Sequence, residues 1–285
     1  MLLRDFLPAV GLREFVRCYR IVHFTFDKNT PFGCKPYTPR PENCLAFYPR
    51  DRERVVYADS GKTVEQLPVV FFGQHTVMTN RHINPDFLVL QVHFQPGAVF
   101  RLTGMPLVEL NNVYTAAEHV FSKAVHLTNE RLYHAPDYAA MVAILDDFTG
   151  QLIRNVKKEA HPLDLAARLM LDRAGTMCLD WLRREACLSV KQLERKFQER
   201  TGVNPKLLHR LIRFDRAYRT KNARPDLDWF SVAIACDYYD YQHLVRDYKA
   251  FTGLTPNAFL ALEKQTPEQS LGMAEQFYEL SLEKF

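Results

Sequence analysis

The stretch ERTGVNPKLL (Glu199–Leu208) has a near copy 51 residues further along the chain, in AFTGLTPNAFL (Ala250–Leu260). Both stretches contain Thr-Gly-x-x-Pro, and the match extends back to Leu193, which corresponds to Leu244. A repeat of this kind usually means that one supersecondary unit occurs twice. Two copies are too few to stack into a solenoid, so the repeat needs another explanation.

The residues around the first copy predict three consecutive helices. Apolar spacing favours helices over His161–Gly175, where Pro162 stands at the start, and over Thr176–Ala186. A third helix is expected after Ser189, because Ser189 and Gln192 have the capping-box spacing that satisfies free amides at a helix N-terminus. Two short helices, a tight turn and a third helix form a helix-turn-helix.

The third helix has an apolar face and a polar face. Leu193 and Phe197 lie one turn apart and are predicted to be buried, and Gly202 is predicted to end the helix. The major groove of DNA admits one α-helix, whose outward side chains then meet base edges and phosphates. The outward residues here are Lys191, Glu194, Arg195 and Gln198.

The second copy has the same layout. LDWFSVAIAC (Leu227–Cys236) is predicted to be a support helix and DYQHLVRDYKAFTG (Asp240–Gly253) an outward helix, with Leu244 and Tyr248 buried. The support helix is expected to pack through Val232, Ala233 and Ala235. The polar residues that face outward are Gln242, His243, Arg246 and Lys249.

A linker helix is predicted between the two copies. Asn204 is expected to cap it, and Pro205 occupies its first turn. Arg210 and Arg213 lie away from its apolar face, where phosphate or solvent contacts are expected. About 18 helical residues span ~27 Å, and successive major-groove faces on one side of DNA are ~34 Å apart. The linker can therefore hold two DNA-reading helices about one turn apart.

Positive charge is concentrated around this linker. The chain has 285 residues, 47% hydrophobic and 25% charged, and a formal net charge of +4, which suits a soluble protein of two domains. Between Arg183 and Arg224 there are 13 basic and 4 acidic residues. Such an excess favours a polyanionic partner, because a solvated helix face usually mixes both signs.

The sequence carries no signal for a membrane or for secretion. No apolar run approaches the ~18 residues of a membrane-spanning helix, and the N-terminus has no secretory cleavage pattern. We therefore expect a cytoplasmic protein with no membrane partner. The six cysteines show no CxxC spacing and are expected to be reduced and mostly buried. Zinc binding or a redox switch at Cys34 and Cys44 is the less favoured alternative.

The first 125 residues are predicted to form a β-rich domain. Short β-rich segments alternate with turn-forming residues, which favours a small barrel or sandwich. From about Ala116 to Ala160 helical spacing takes over and indicates a helical connector. The expected strands are Tyr19–Phe26, Cys44–Pro49, Arg54–Ala58, Leu67–Gln74 and Phe87–Phe94.

No pattern in this domain indicates catalysis. It lacks GxSxG, HExxH, P-loop and Rossmann patterns, and His75, His82 and His93 have no metal-ligand spacing. We therefore expect no metal, no cofactor and no enzymatic activity. The aromatic residues either fill the core or line a pocket for one small ligand at the mouth of a barrel. The candidate pocket residues are Phe24, Phe26, Tyr48, Phe72 and Gln74.

Two stretches resemble the tandem helix-turn-helix domain of AraC/XylS-type transcriptional regulators. They are LSVKQLERKFQERTGVNPKLLHRLIRFDRA, from Leu188, and SVAIACDYYDYQHLVRDYKAFTGLTPNAFL, from Ser231, and the likeness covers roughly Leu163–Leu262. VHFQPGAVFRLTGMPLVEL (Val92–Leu110) is similar, more weakly, to the cupin-like N-terminal domains of some of these regulators. The resemblance implies a C-terminal domain that binds promoter DNA and an N-terminal domain that senses an effector, dimerises, or both.

The resemblance also implies roles for single residues. Base-facing positions are Lys191, Glu194 and Arg195 in the first unit and Gln242, His243 and Arg246 in the second. Scaffold positions are Phe197, Ala217, Ala233, Tyr248, Gly253 and Pro256. Where the family has a turn glycine, this chain has Cys187 and Asp237, and Arg183 occupies a position that is usually small. Asp adopts a positive φ more readily than Cys, so the first unit is the weaker candidate for base reading.

We therefore predict an α+β multidomain protein. It comprises a small β-barrel or cupin-like sensor and dimerisation domain (1–125), a helical connector (126–160), a tandem helix-turn-helix domain (161–262) and a tail helix (263–285). The tail has Thr266 and Pro267 at its start and an apolar face that is expected to pack onto the rest. The expected function is sequence-specific transcriptional regulation by a homodimer that binds promoter DNA, a small-molecule effector and RNA polymerase. The alternative is a cupin-like enzyme or small-molecule-binding protein whose C-terminal helices bind other proteins.

Overall fold

Antiparallel β-structure makes up most of the N-terminal domain. The computed structural model describes residues 1–27, 34–172 and 189–282. The strands in these ranges are β1 (Leu2–Phe6), β2 (Val16–Thr25), β3 (Lys35–Tyr37), β4 (Cys44–Phe47), β5 (Arg54–Tyr57), β6 (Val69–Phe72), β7 (Thr79–His82), β8 (Asp86–Phe94) and β9 (Tyr114–Ala116). They form a six-stranded sheet in the order β1-β2-β8-β4-β6-β9 and a three-stranded sheet in the order β3-β7-β5.

Both faces of the six-stranded sheet are covered. The central strands β4 and β6 are buried at every position, as expected for apolar runs between two layers. On one face, Phe47 packs edge-on against Phe148, with ring centroids 5.6 Å apart. On the other face, Phe72 contacts Tyr37 and Arg81 of the three-stranded sheet. The two sheets therefore enclose a second interior, separate from the helix-covered core.

Three helices follow the last long strand. They are α1 (Ala98–Thr103), α2 (Ala124–Tyr133) and α3 (Tyr138–Arg154). The chain turns from β8 into α1 at Gly97, whose φ of 79° is readily adopted only by glycine. A Cβ at this position would also lie 2.1 Å from the Asp164 carboxylate of the C-terminal domain.

The C-terminal domain is helical. Its described helices are α4 (Pro162–Asp172), α5 (Val190–Thr201), α6 (Pro205–Ala223), α7 (Trp229–Ala235), α8 (Tyr241–Thr252) and α9 (Pro256–Glu263), followed by the tail helices α10 (Pro267–Ser270) and α11 (Ala274–Leu282). One apolar cluster runs through them and includes Phe277 and Tyr278 of the tail. The tail is therefore part of the folded domain, as its apolar face predicts.

The α+β architecture and the helical C-terminal domain are confirmed, with local corrections. All five predicted strands exist, but β1, β3, β7 and β9 were not predicted. Ala235 is exposed, so it does not pack as expected. The predicted helix Thr176–Ala186, together with Arg183 and Cys187, lies outside the described residues. No helix in the described ranges is long and apolar enough to cross a bilayer.

Candidate nucleic-acid interface and ligand pocket

Helix α5 is the outward helix of the first repeat. The capping box is present: the Ser189 hydroxyl accepts a hydrogen bond from the Gln192 amide, and the Gln192 side chain accepts one from the Ser189 amide at 3.0 Å. Leu193 and Phe197 are buried, as the spacing predicts. The opposite face exposes Lys191, Glu194 and Arg195, and Gln198 is half-buried.

Helix α8 is the corresponding helix of the second repeat. The Asp240 carboxylate caps it by accepting from the His243 amide at 2.8 Å, and Gly253 ends it with a φ of 74°. Leu244 and Tyr248 are buried in the domain core. The other face exposes Gln242, Arg246 and Lys249, while His243 is half-buried. Both repeats therefore present a polar helix face to solvent.

A buried carboxylate holds α8 against α6. Asp247 accepts hydrogen bonds from Arg210 at 3.0 and 2.8 Å and from Arg213 at 2.9 Å, and it is 4% exposed. The two arginines, for which phosphate or solvent contacts are expected, thus also bond within the protein, and their side chains stay 36% and 17% exposed. Asp247 lies three residues after Leu244 and one before Tyr248, so a charge within the apolar stripe was the sequence signal for this clamp.

The turn between α7 and α8 shows how the second repeat tolerates its missing glycine. Asp237 has a φ of 60°, in the left-handed region that the resemblance implies for this position. Its carboxylate accepts from Arg216 at 3.1 Å, and both side chains are well exposed. The matching turn of the first repeat, at Cys187, lies outside the described residues.

The linker helix α6 is continuous and close to its predicted length. Its 19 residues begin at Pro205, and the Asn204 side chain accepts from the Leu207 amide at 2.8 Å. At 1.5 Å per residue the helix is about 28 Å long. It connects the end of α5 to the start of the second repeat.

The C-terminal end of α5 is packed against the N-terminal domain. Arg200 donates two hydrogen bonds of 2.6 Å to Asp164 on α4, and both side chains are less than a tenth exposed. The Arg200 guanidinium also lies over the Phe100 ring of α1, 4.7 Å from its centroid. The Asn111 amide donates to the Gly202 carbonyl. The C-terminal end of the first outward helix is therefore fixed against the N-terminal domain.

A pocket lies between the two sheets of the N-terminal domain. It contains about 610 Å³ of empty space, part of it open to solvent. Its apolar side consists of Leu3, Val22, Phe24, Ile83, Phe87 and Val89. Its cationic lining consists of Arg20, Lys35, Arg40 and Arg81. The tail contributes Pro267, Glu268, Phe277 and Tyr278, and the sheets also contribute Tyr37, Glu53 and Gln91.

The predicted pocket residues are only partly at this site. Phe24 lines the pocket, whereas Tyr48 and Phe72 belong to the apolar cluster behind it and Phe26 packs at the edge of that cluster. Gln74 lines a different, smaller pocket. Its amide donates to two backbone carbonyls at 2.6 and 2.8 Å, so its role is structural.

The cationic residues of the pocket differ in how well they are paired. Arg20 has a bidentate partner in Asp5, at 2.8 and 2.9 Å. Arg81 lies 3.4 Å from Glu53, and Arg40 lies 4.0 Å from Asp215 of α6. Within the described part of the chain, the Nε atoms of Arg40 and Arg81 have no hydrogen-bond partner, although both residues are buried. Such atoms favour an acceptor from a ligand or from water.

Lys35 joins the N-terminal domain to the end of the C-terminal domain. Its ammonium lies 3.3 Å from the Glu263 carboxylate and forms a closer ion pair with Glu268. Burial alone would lower the pKa of Lys35, but the two carboxylates raise it above its usual range. Lys35 therefore remains charged at neutral pH.

The histidines and cysteines of the described ranges are the residues in which metal sites or perturbed pKa values would be signs of chemistry. No group of three or more His, Cys, Asp or Glu residues there could hold a metal ion. Burial and the nearby Arg81 lower the pKa of His75 to about 3, so its ring is neutral. Cys18, Cys34, Cys44 and Cys236 are free, and burial raises the pKa of Cys18 to about 12. A neutral buried thiol is a poor nucleophile.

Comparison with known families supports the two-part organisation. Residues 182–261 match the family described as a helix-turn-helix domain, and residues 4–116 match a domain of unknown function, DUF6597. The C-terminal domain is thus a helix-turn-helix domain of AraC type, which confirms the resemblance seen in the repeats. No curated protein sequence matches the chain.

Solved structures that match the chain include ToxT of Vibrio cholerae. An apo lysine-to-alanine variant of ToxT is 10% identical, covers 86% of this chain and 97% of its own, and gives a TM-score of 0.47. ToxT with a bound unsaturated fatty acid is 10% identical, covers 86% of this chain and 94% of its own, and has a TM-score of 0.45. The AraC-like transcriptional activator CuxR is 14% identical, covers 73% of this chain and 77% of its own, and has a TM-score of 0.27.

Proposed function

We propose that this chain is a sequence-specific, DNA-binding transcriptional regulator that reads two successive major-groove segments with α5 and α8. The observation that carries the proposal is the pair of capped helices with exposed polar faces, joined through a 19-residue helix. A linker of about 28 Å is close to the ~34 Å between successive groove faces, so both helices can engage one side of the duplex.

Helix α8 is the principal reader in this proposal. Recognition helices contact bases mainly with their N-terminal residues, and Gln242, His243 and Arg246 occupy the first turns of α8. Arg suits the paired acceptors of guanine, and Gln can satisfy adenine. Lys249 lies one turn further on and suits a phosphate contact.

Helix α5 contributes the second set of contacts. Among the described residues, Lys191, Glu194 and Arg195 are exposed on its N-terminal half, while its other end is packed on the N-terminal domain. Arg195 is placed to read guanine, Lys191 to bind phosphate and Glu194 to accept from a cytosine amine. Gln198 is half-buried and contributes at the margin of this surface.

Arg210 and Arg213 support the reading helix from behind. Their bonds to Asp247 fix the angle at which α8 leaves α6, so they act on DNA binding mainly by positioning α8. A fixed angle reduces the entropy that is lost when α8 enters the groove.

The N-terminal domain acts as the sensor in this proposal. Residues 1–125 would bind a small-molecule effector in the pocket between the sheets, and residues 126–160 would connect that domain to the DNA-binding domain at 161–262. The protein would act as a homodimer, and RNA polymerase would be the partner of the DNA-bound form. The pocket serves sensing, so no enzymatic activity and no cofactor are expected.

Selection of bound fragments from a genomic DNA pool tests the DNA-binding proposal. The full chain is expected to enrich a small set of fragments, and its affinity for them should fall ~10³-fold or more between 50 and 200 mM salt if six or more phosphates are contacted. An affinity that does not respond to salt, with no enriched fragment, would favour the alternative of a ligand-binding or enzymatic protein whose helices bind other proteins.

A further inference from the structure

The tail of the chain forms one wall of the N-terminal pocket, although it lies outside the matched helix-turn-helix residues 182–261. We propose that α10 and α11 are the movable wall of this pocket and that an anionic ligand with an apolar body displaces Glu268 from Lys35. This inference deepens the proposed function and rests on it, since it names the ligand class and the element that senses the ligand.

The tail lies between the N-terminal sheet and the linker helix. On the sheet side, the Arg20 guanidinium lies 4.9 Å from the centroid of the Phe277 ring. On the linker side, the Tyr278 and Tyr218 hydroxyls are 2.9 Å apart. A displacement of the tail therefore changes contacts on both sides at once.

A second contact ties the first turn of the tail to the linker helix. The Gln269 amide donates to the Asn222 side chain at 2.9 Å, one turn after Tyr218 on α6. Glu268, the residue before Gln269, is the one that both lines the pocket and binds Lys35. The ion pair at the pocket and the anchor on α6 are therefore adjacent in the chain.

The pocket chemistry specifies the ligand class. One side is apolar, with Val22, Ile83 and Phe87 among its residues, and suits a hydrocarbon or aromatic body. The other side holds the cations Arg20, Lys35, Arg40 and Arg81, four positive charges against the two lining carboxylates of Glu53 and Glu268. A carboxylate or similar anion balances this excess of positive charge and can form charge-assisted hydrogen bonds with the cations.

The anionic end of such a ligand competes with a group of the tail. Lys35 already binds two carboxylates, and Glu263 belongs to α9 of the DNA-binding domain while Glu268 belongs to the tail. The ligand anion repels Glu268 more than Glu263, because Glu268 lines the pocket and Glu263 does not, and Glu268 lies on the shorter helix, of four residues against eight. Ligand binding therefore weakens the Lys35–Glu268 ion pair before the Lys35–Glu263 pair. This loosens the tail from α6, the helix that joins the two DNA-reading helices.

Calorimetric titration of the full chain with phenylacetate, and with the neutral phenylacetamide, tests the ligand class. We expect phenylacetate to bind at least tenfold more tightly than the amide. Glu268→Gln removes the competing charge and should raise the phenylacetate affinity roughly tenfold, which corresponds to one charge-assisted hydrogen bond. Glu275→Gln removes the same charge from an exposed site on the tail and should leave the affinity unchanged.

Hydrogen exchange of the unmodified chain tests the movement without any substitution. Amides of residues 266–282 should exchange at least several-fold faster with saturating phenylacetate than without it. Absence of phenylacetate binding, equal affinities in the Glu268→Gln variant and the unmodified chain, or unchanged tail exchange would each overturn the inference. Fragment selection and its salt dependence are measured separately on ligand-free protein. If DNA fragments are enriched but the exchange of the tail amides does not change with phenylacetate, only this inference is refuted. If no DNA fragment is enriched, the proposed function is refuted.

Discussion

Replacing Asp247 with Asn perturbs the clamp that holds α8, the outward helix of the second repeat, against α6. The carboxylate is 5% exposed and holds Arg210 and Arg213, whose side chains are 36% and 17% exposed. Removing one partner of a fully buried ion pair costs about 3–5 kcal/mol, and an exposed pair contributes about 0–1 kcal/mol. Because the two arginines are partly hydrated, we expect Asp247→Asn to lower the free energy of unfolding by about 2–3 kcal/mol.

The matched control for this change is Asp237→Asn. Asp237 pairs with Arg216 at the surface, where the side chains are 54% and 40% exposed, and Asn tolerates the φ of 60° at this position. Its cost should stay below about 1 kcal/mol. In thermal melts the melting temperature should fall by roughly 5–10 °C for Asp247→Asn and by about 2 °C for the control.

The same variant has a distinct effect on DNA binding. Once the Asp247 carboxylate is removed, Arg210 and Arg213 can each bind a phosphate. The slope of log affinity against log salt concentration on random DNA should therefore steepen by up to about 2. Specific binding should weaken, because α8 loses its fixed angle. Equal melting temperatures for the two variants, with unchanged salt slopes, would refute the assignment of Asp247 as the clamp.

Two further changes test the packing between the domains and inside the N-terminal domain. Gly97→Ala places a Cβ 2.1 Å from Asp164, which Arg200 holds in place, and forces a non-glycine residue to a φ of 79°. We expect the free energy of unfolding, measured in urea, to fall by about 2–4 kcal/mol. An unchanged free energy of unfolding would contradict the packing between the domains. In the unmodified chain the folded-state pKa of His75 is about 3, so only the unfolded state protonates this ring as the pH falls from about 6.5 to about 3. This difference lowers the free energy of unfolding by about 1.4 kcal/mol per pH unit. His75→Phe removes the ring, so the free energy of unfolding should fall less steeply on acidification. Unfolding curves between pH 7 and pH 4 check this result, and parallel slopes in the two proteins would contradict the buried neutral ring.

The helical domain could be predicted from the sequence because its signals are local. Capping residues such as Ser189, Asn204 and Asp240 stand within three residues of the amides they satisfy, so the ends of α5, α6 and α8 follow from short motifs. The repeat then places the two outward faces without any knowledge of tertiary contacts. The residues on those faces were exposed as expected at Lys191, Glu194, Arg195, Gln242, Arg246 and Lys249.

The β-domain was harder to predict because its contacts are distant in sequence. Strand β7 reads TNRH, and it is identified as a strand only by its pairing with β3 and β5. Arg20, Arg40 and Arg81 come from separate segments, and no spacing rule brings them to one pocket. The wall formed by Glu268 and Phe277 is about 190 residues further along the chain than Arg81, which explains why aromatic residues of the front half alone gave an incomplete pocket.

The specificity of the Arg246→Ala variant tests the central claim most directly. Affinities of the unmodified chain, Arg246→Ala and Lys206→Ala are measured on an enriched genomic fragment and on random DNA, with thermal melts alongside. Arg246 is exposed on α8, and its loss should weaken binding to the enriched fragment by about 1–3 kcal/mol while affecting random DNA little. Lys206 is exposed at the start of α6, and its loss should weaken both DNAs about equally. Equal losses on both DNAs for Arg246→Ala, with an unchanged melting temperature, would contradict the role of α8 as a base reader.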